Sequence, residues 1–169
     1  MADIILHGCN GAMGRVIVDL VRDDPDVRIV AGIDITGEQK DDFPVFTDCR
    51  SCEAKGDVII DFSAAPAVDT LLDYAVSKKL PVVLCTTGLS DGQMEVVKKA
   101  SEAIPVLKSA NMSLGVNTLF KLAQVAAGIL ADQGYDIEIV EKHHNRKLDA
   151  PSGTAISIAD SVNEAVGGR

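Results

Sequence analysis

A glycine-rich turn directly follows an apolar run at the start of the chain. Residues 3–7 read DIILH, which predicts a buried strand, and residues 8–15 read GCNGAMGR. Residues 12–22 then show helical spacing of apolar side chains, four of which we expect on one face: Val16, Ile17, Leu20 and Val21. A strand, a glycine turn and a helix in this order are typical of the first βαβ unit of a nucleotide-binding α/β fold.

Three glycines give the turn the spacing G-x-x-G-x-x-G, with Asn10 where the common pattern has its second glycine. Glycine suits such a turn because it adopts positive φ and lets the backbone approach a pyrophosphate closely. Free N–H groups at the start of the helix would then hold the phosphates. We therefore expect six residues to contact a dinucleotide: Gly8, Asn10, Gly11, Ala12, Met13 and Gly14. A tight turn without a ligand is the alternative interpretation.

Asp34 ends a second predicted strand, over residues 27–34, and lies 20 positions beyond Gly14. An acid at such a position usually accepts a hydrogen bond from the adenosine ribose. Residues 35–39 include no arginine or lysine, so a 2′-phosphate would meet the carboxylate without an adjacent cation. The sequence therefore predicts NADH as the cofactor, with NADPH possible. The alternative is that Asp34 is an ordinary turn residue at a strand end.

Short apolar runs and helical patterns alternate along the chain, which is typical of βαβ units and a parallel sheet. Further strands are expected over residues 57–62, 81–85 and 105–108, with helices over 66–78 and 91–103. Residues 36–56 are polar and irregular. We predict an α/β fold, a Rossmann-like doubly wound parallel sheet of five or more strands, with a dinucleotide-binding domain over residues 1–112.

Polar loops follow three of these strands, and ligands of open α/β sheets bind outside the carboxyl ends of strands. The loops are Asp61-Phe62-Ser63, Thr86-Thr87-Gly88 and Ser109-Ala110-Asn111. The threonine loop offers hydroxyl and backbone groups that would suit a nicotinamide ribose and carboxamide. As ordinary turn residues these loops would have the same composition.

The last part of the chain, residues 113–169, predicts a partial substrate-binding lobe of α+β type. It comprises a long apolar helix over residues 114–130, an alternating strand over 136–142 and a helix over 153–166. The final helix has three apolar residues expected on one face: Ile158, Val162 and Val166. A single strand cannot satisfy its backbone groups without neighbours, so we expect the lobe to be incomplete or to receive strands from another subunit.

Residues 142–147 read KHHNRK and concentrate basic and imidazole groups in a chain whose net charge is −9. Such a cluster indicates an anion site, for which the carboxylates of a small substrate are suitable guests. Ser152, Gly153 and Thr154 follow at the start of a helix, where N–H groups form a second anion cradle. A solvated basic loop followed by an ordinary helix cap is the alternative.

Several classes of function are disfavoured by composition. A net charge of −9 and a pI near 4.7 argue against sequence-independent binding of nucleic acid, which would need a basic face. Because no basic leader is present and no apolar run approaches the roughly 18 residues that span a bilayer, we expect a soluble, cytoplasmic protein. No metal is predicted from the adjacent His143 and His144, nor from Cys49 and Cys52, which lack a second pair. The four cysteines are expected to be reduced thiols.

The run HHNRKLDAPSGTA, residues 143–155, resembles the sequence typical of dihydrodipicolinate (4-hydroxy-tetrahydrodipicolinate) reductases. The glycine turn and the three polar loops appear in the matching order, and the resemblance covers essentially the whole chain. It implies NAD(P)H-dependent reduction of dihydrodipicolinate, formed by dehydration of the hydroxylated substrate, to tetrahydrodipicolinate in lysine and diaminopimelate synthesis. The family is homotetrameric and its members continue past the equivalent of Arg169, so the C-terminal part of the family's chain is expected to be missing here.

The resemblance also implies roles for individual residues. His143 and Lys147 would form the catalytic pair, with Lys147 as the proton donor. The substrate carboxylates would contact His144, Lys147, Ser152, Gly153 and Thr154. Besides the glycine turn and Asp34, the cofactor would be bordered by Phe62, Ser63, Thr86, Thr87, Gly88, Ser109 and Asn111.

Two other functions remain as alternatives. One is a module that binds NAD(H) without turnover, in keeping with the missing C-terminal part. The other is a semialdehyde dehydrogenase, which would need a cysteine nucleophile such as Cys85, but no neighbouring residue in the sequence supplies the base.

Overall fold

The structure is a computed structural model and describes residues 1–145 and 150–168. Within these residues, six strands run over Ala2–His7 (β1), Val27–Ile33 (β2), Val45–Phe46 (β3), Val58–Asp61 (β4), Val82–Leu84 (β5) and Val106–Lys108 (β6). The α-helices in the same ranges are Ala12–Arg22 (α1), Val68–Lys78 (α2), Asp91–Ser101 (α3), Leu114–Leu130 (α4) and Gly153–Val166 (α5). The chain forms two compact units, Met1–Ser109 and Ala110–Arg169.

The first unit contains a six-stranded sheet in the order β3-β2-β1-β4-β5-β6, and every neighbouring pair is parallel. From β1 the chain builds outward through β2 to β3, and β4 then returns to the other side of β1. The strand order therefore reverses between β1 and β4, where ligands of such sheets bind. The predicted Rossmann-like doubly wound fold is confirmed.

The sheet is covered on both faces because alternate residues of its strands point to opposite sides. Ile4 and Leu6 of β1 belong to an apolar cluster that includes Val18 of α1. Ile5, between them, belongs to a larger cluster with residues of α2 and α3, such as Leu71. Each fully buried aliphatic side chain contributes roughly 1.5–3 kcal/mol, so these continuous apolar strands stabilise the unit from both sides.

The apolar face of α1 differs from the prediction. Gly14 and Val18 are the buried residues of the helix, while Val16 is 46% and Leu20 70% exposed. The other two members of the predicted face are half-buried against the core: Ile17 and Val21. The expectation for Val16 and Leu20 was wrong because α1 approaches its neighbours most closely at Gly14. Val18 and Val21, four and seven positions further on, lie on the same side of the helix as Gly14.

The irregular stretch after β2 contains a strand that the sequence did not predict. β3 is two residues long and pairs with the end of β2. A strand this short has no readable alternation, so only its neighbour reveals it. A short 3₁₀ turn, Cys49–Ser51, follows it, with both cysteines of the C-x-x-C sequence buried in the core. All four cysteines are buried free thiols, and burial raises the pKa of Cys49 to about 11.

The second unit consists, in the part that the structure describes, of α4 packed on α5. Ala127 of α4 is buried, and the predicted face of α5 is half-buried. The strand expected over residues 136–142 is absent from the described residues, and Val140 is 89% exposed. That prediction was wrong because alternation alone does not make a strand: its backbone groups need a neighbouring strand, and none is described in this unit.

By length and composition alone, one helical segment of the described residues, Leu114–Gln133, would be able to cross a membrane. The sequence expectation missed it by counting uninterrupted apolar residues, whereas Asn117 and Lys121 interrupt this run. One such helix is weak support for a membrane location, because helices that pack in the core of soluble proteins can have the same composition.

Candidate functional site

Most of the predicted cofactor residues lie at one edge of the sheet in the first unit. Asp34 follows β2, Gly8 follows β1, Phe62 follows β4, and Thr86 lies two residues beyond β5. Because these four strands are parallel neighbours, their carboxyl ends meet at the same edge. Ser109, directly after β6, lies at the outer end of this edge. The fold thus brings together residues that are far apart in the sequence.

The glycine turn has the close approaches that its spacing predicts. Gly8 has φ +81°, and a Cβ there would lie 2.6 Å from the carbonyl oxygen of Phe62. A Cβ on Gly14 would collide with the carbonyl oxygen of Gly8. Helix α1 begins after Gly11, and no described side chain caps it, so the N–H groups at its start remain suited to an anion. The turn therefore leaves its backbone open to a phosphate.

Asn10 joins the glycine turn to the loop after β2. Its backbone N–H donates to Asp34 Oδ2 at 3.1 Å, and its side-chain amide donates to Thr36 Oγ1 and to the Glu38 carbonyl, both at 2.9 Å. Thr36 donates its N–H and its hydroxyl to Asp34 Oδ1 at 3.0 and 2.9 Å. Asparagine at the second glycine position thus has a structural role, because glycine would lack these side-chain bonds.

Asp34 is held as a carboxylate by its neighbours. Burial by itself raises the pKa of Asp34, but the hydrogen bonds from Thr36 and Asn10 outweigh it, and the pKa lies below its ordinary value. Nearby cations are engaged by other acids. Arg15 forms an ion pair with Asp41, and Lys40 Nζ lies 2.9 Å from Glu38 Oε2.

A buried polar network that the sequence did not predict lies between these loops. His7 Nδ1 is 2.8 Å from Asp61 Oδ1, and the Thr86 hydroxyl donates to Asp61 Oδ2 at 2.6 Å. Asp61 is 0% exposed and also accepts the Ser63 N–H at 3.2 Å. Burial raises the pKa of Asp61, but the bonds from His7, Ser63 and Thr86 outweigh it and lower the pKa below its ordinary value. The sequence contained one signal for this network: the apolar strands β1 and β4 each end in a polar residue, His7 and Asp61.

The threonine loop divides into a buried and an exposed part. Thr86 is buried and its hydroxyl is bonded to Asp61. Thr87 and Gly88 are exposed, and Gly88 has φ +73°. The exposed pair therefore remains accessible to a ligand. Cys85, just before them, is buried, and burial raises the pKa of its thiol to about 11. A protonated, buried thiol argues against the nucleophile that a semialdehyde dehydrogenase needs.

In the second unit, Glu141 connects two of the predicted substrate regions. Its Oε2 lies 2.8 Å from His143 Nε2, and its Oε1 accepts the Ser152 N–H at 2.9 Å. Hydrogen bonds from Ser152 and then His143 lower the pKa of Glu141 to about 2. Sequence reasoning did not name Glu141 as a site residue, although it stands just before the basic run.

Ser152 caps helix α5, as expected: its hydroxyl accepts the Ala155 N–H at 3.1 Å. Gly153 and Thr154 form the first turn of this helix and are half-buried. His144 is exposed. The predicted proton donor, Lys147, lies outside the described residues.

Asn111 belongs to the second unit, ahead of α4. Its Oδ1 accepts the Ser113 N–H at 2.8 Å, and its carbonyl accepts the side-chain amide of Asn117 at 2.9 Å. These bonds stabilise the start of α4. Among the described residues no cluster of three or more histidine, cysteine or acidic side chains is arranged to hold a metal ion.

A parallel sheet whose carboxyl edge carries a glycine turn, an acid after the second strand and polar loops defines an α/β protein of the Rossmann, dinucleotide-binding class. Residues 2–112 match the family model for the N-terminus of dihydrodipicolinate reductase, and residues 115–169 match the model for its C-terminus. The chain belongs to the dihydrodipicolinate reductase family, which confirms the resemblance seen in the sequence.

Two curated relatives are named 4-hydroxy-tetrahydrodipicolinate reductase. That of Caldanaerobacter subterraneus subsp. tengcongensis is 48% identical over 166 residues, which are 98% of this chain and 65% of the relative. That of Clostridium tetani is 44% identical over 167 residues, with the same coverage. The chain thus spans about 65% of the length of these relatives.

Solved structures agree with this assignment. A dipicolinate-bound dihydrodipicolinate reductase from Paenisporosarcina sp. TG-14 superposes with a TM-score of 0.76 at 27% identity, over 98% of this chain and 66% of that one. A myo-inositol dehydrogenase from Corynebacterium glutamicum, at 20% identity and a TM-score of 0.53, covers 79% of this chain and 41% of that one, and shows the fold alone.

Proposed function

We propose that this chain acts in the reduction of dihydrodipicolinate, formed by dehydration of 4-hydroxy-tetrahydrodipicolinate, to tetrahydrodipicolinate in lysine and diaminopimelate synthesis. The observation that carries the proposal is that one chain holds both the dinucleotide edge of the first unit and the 143–155 run of the second. Both parts match the corresponding halves of one reductase family.

The first unit would bind the cofactor, and the fit rests on its glycine turn. The space that a Cβ would fill at Gly8 and Gly14 is taken by neighbouring backbone, and the start of α1 presents N–H groups to a pyrophosphate. The exposed Thr87 and Gly88 would border the nicotinamide ribose, with Phe62, Ser63 and Ser109 on the same edge. Asn111 is assigned to the cofactor from the family resemblance.

NADH is the cofactor that the surroundings of Asp34 favour. A 2′-phosphate at this position would meet a carboxylate, while Arg15 and Lys40 are already paired with Asp41 and Glu38. These ion pairs support our proposal that NADPH would be the weaker ligand.

The second unit would bind the substrate and supply the proton. A reduced nicotinamide, when bound, supplies the hydride to a ring carbon. Negative charge then develops on the conjugated ring nitrogen, and Lys147 is assigned as the donor of the proton that neutralises it, with His143 as its partner. Glu141 accepts the Nε2–H of the neighbouring His143 ring in our assignment and so orients it.

The substrate carboxylates would bind to His144, Lys147 and the helix start formed by Ser152, Gly153 and Thr154. The affinity of this helix start for a carboxylate is supported by Glu141, whose own carboxylate accepts the Ser152 N–H. The solved relative from Paenisporosarcina contains dipicolinate, a planar dicarboxylate of the same size class. A small dicarboxylate is therefore the partner that we propose, rather than a nucleic acid or a membrane.

The remaining assignments follow the family resemblance. We place the dinucleotide-binding domain at residues 1–112 and the substrate-binding part at residues 113–169. We also propose a cytoplasmic location; homotetrameric assembly is what the resemblance implies for the family.

A reductase assay on the 169-residue chain tests the proposed function. NADH absorbance is followed after the 4-hydroxy precursor is added, and substrate-dependent oxidation of NADH is the expected result. Binding of NADH without any oxidation would contradict turnover by this chain and favour the second candidate, an NAD(H)-binding module. That candidate is favoured by one observation, the 65% coverage of the curated relatives.

A further inference from the structure

His7, Asp61 and Thr86 form a buried polar network at the carboxyl edge of the sheet. Its three members end β1 and β4 or follow β5, which are adjacent strands of the sheet. A buried carboxylate costs free energy unless hydrogen bonds compensate it. Asp61 receives three such bonds, so the site is complete as a structure, and its position at the ligand edge gives it a further consequence.

One carboxylate binds residues of two different loops. Asp61 accepts the Ser63 N–H in the loop after β4 and the Thr86 hydroxyl in the loop after β5. The hydroxyls of Ser63 and Thr86 also approach each other, at 3.5 Å between Oγ and Oγ1. The distance between these two loops is therefore set through Asp61.

The direction of the hydrogen bonds follows from the charge of Asp61. A carboxylate accepts and does not donate, so the His7 Nδ1 that faces it carries the proton, and the Thr86 proton is committed to the carboxylate. His7 stands next to Gly8, and the His7 carbonyl accepts the Phe62 N–H at 3.0 Å. The network thus connects the glycine turn with the loop after β4.

The adenine side of the edge has its own, separate set of bonds. Asp34, Asn10 and Thr36 hold one another there. The bonds described for Asp61 go to His7, Ser63 and Thr86 and to none of these residues. The nicotinamide half of a dinucleotide would therefore meet loops held by Asp61, and the adenosine half would meet loops held around Asp34.

We propose that Asp61, held by His7, is a positioning residue that sets the loops containing Ser63 and Thr86 for the nicotinamide-ribose half of the dinucleotide. The inference rests on the proposed cofactor role of this edge and deepens it. Asp61 and His7 act through the loops and do not contact the ligand.

Thr86→Val is the variant that separates positioning from folding. It keeps the shape of the side chain and removes the bond to Asp61, whereas Asp61→Asn risks unfolding the unit by leaving a buried donor unmatched. Affinities of the 169-residue chain for NADH and for ADP, which lacks the nicotinamide ribose, are measured by calorimetry. We expect T86V to weaken NADH binding roughly tenfold and to leave ADP binding unchanged.

Two further variants complete the test. Thr86→Ser retains the hydroxyl and is expected to restore the NADH affinity. Tyr74→Phe removes a different buried hydrogen bond of the same unit, from the Tyr74 hydroxyl to the Cys52 carbonyl at 3.0 Å, and is expected to leave both affinities unchanged. Far-ultraviolet circular dichroism verifies that each variant is folded.

The outcomes distinguish the inference from the proposed function. Wild-type NADH affinity in T86V, or equal losses for NADH and ADP, would overturn the positioning role while leaving the cofactor assignment in place. If the wild-type chain bound NADH no more tightly than ADP, both the positioning role and the cofactor assignment would be overturned.

Discussion

Both carboxylate oxygens of Asp34 accept hydrogen bonds from the loops around it. These bonds fix the group that the adenosine end of a cofactor would meet. Its pKa is lowered by bonds from Thr36 and Asn10 that outweigh burial. The carboxylate is therefore charged at neutral pH and would repel a 2′-phosphate. Lys40 also lowers the pKa of Asp34 and is paired with Glu38, while Arg15 of α1 is paired with Asp41.

Replacing Asp34 by asparagine is expected to shift the cofactor preference toward NADPH. The amide keeps the shape of the side chain and loses the negative charge, so the affinity for NADPH relative to NADH should rise on the order of tenfold. Fluorescence titration of both cofactors measures the ratio. Lys55→Met, a charge change elsewhere on the first unit, is the control and should leave the ratio as it is. A wild-type chain that strongly prefers NADPH would contradict the assignment.

At the scale of elements, the glycine turn and α1 fit together through backbone contacts that leave no room for side chains. Gly14 is where the helix comes closest to the turn, and the buried line of α1 follows from it. The ends of β1, β4 and β5 are joined in turn by the bonds of Asp61. The position of each element therefore depends on a few residues at this edge.

Gly14→Ala is expected to destabilise the chain by about 1–3 kcal/mol and to weaken dinucleotide binding, because its Cβ would collide with the Gly8 carbonyl. Urea unfolding and NADH titration measure the two effects. Gly92→Ala is the matched control: Gly92 lies in the first turn of α3, where a Cβ would make only an ordinary contact, 3.9 Å from Ser90 Oγ. There we expect a gain of up to about 1 kcal/mol, because alanine restricts the unfolded chain. Equal effects at both positions would exclude the steric explanation.

Asp61 is expected to contribute to the pH dependence of stability. Its folded pKa lies below the ordinary 3.8, so its contribution is fully present above about pH 4 and is lost as the pH falls through the lower folded value. Asp61→Asn should cost about 1–3 kcal/mol at pH 7, because the amide places a donor opposite the buried donors of His7 or Thr86. The difference from wild type should shrink below pH 4. Urea unfolding at pH 7 and at pH 3 measures it; a difference that does not change with pH would contradict the charged state.

At the scale of the whole molecule, the residues assigned to the proposed reaction come from both units. The first unit supplies the dinucleotide edge, and the second supplies the 143–155 run and the start of α5. The second unit buries little in the part that the structure describes: α4 has Ala127 as its buried side chain. Its segment at residues 136–142 is exposed as well.

Lys147→Ala is expected to lower turnover by about 10²–10⁴-fold, the usual contribution of a general acid, and to leave NADH affinity nearly unchanged. Steady-state kinetics and NADH titration measure the two quantities. Lys142→Ala removes a neighbouring positive charge from the same basic run and should have a much smaller effect on turnover. Normal turnover of K147A would refute the role assigned to Lys147.

The sequence by itself was sufficient for features whose cause is local. Helices α1, α4 and α5 run over the residues predicted, because the period of apolar side chains and the residues at their starts, Gly11, Ser113 and Ser152, act within a few positions. The glycine turn and the order of strands and helices gave the fold class for the same reason. The family was evident from a short run with specific residue types.

Only the tertiary structure decided which segments adjoin one another. The bond between His7 and Asp61 joins residues 54 positions apart, and it exists because β1 and β4 are neighbours in the sheet. Docking on the sheet likewise decides that α1 buries Gly14 and Val18. Pairing with β2 makes Val45–Phe46 a strand, whereas residues 136–142 have no strand partner in the described part of the chain. Strand pairing and helix docking depend on partners supplied by distant segments, and local periodicity does not contain that information.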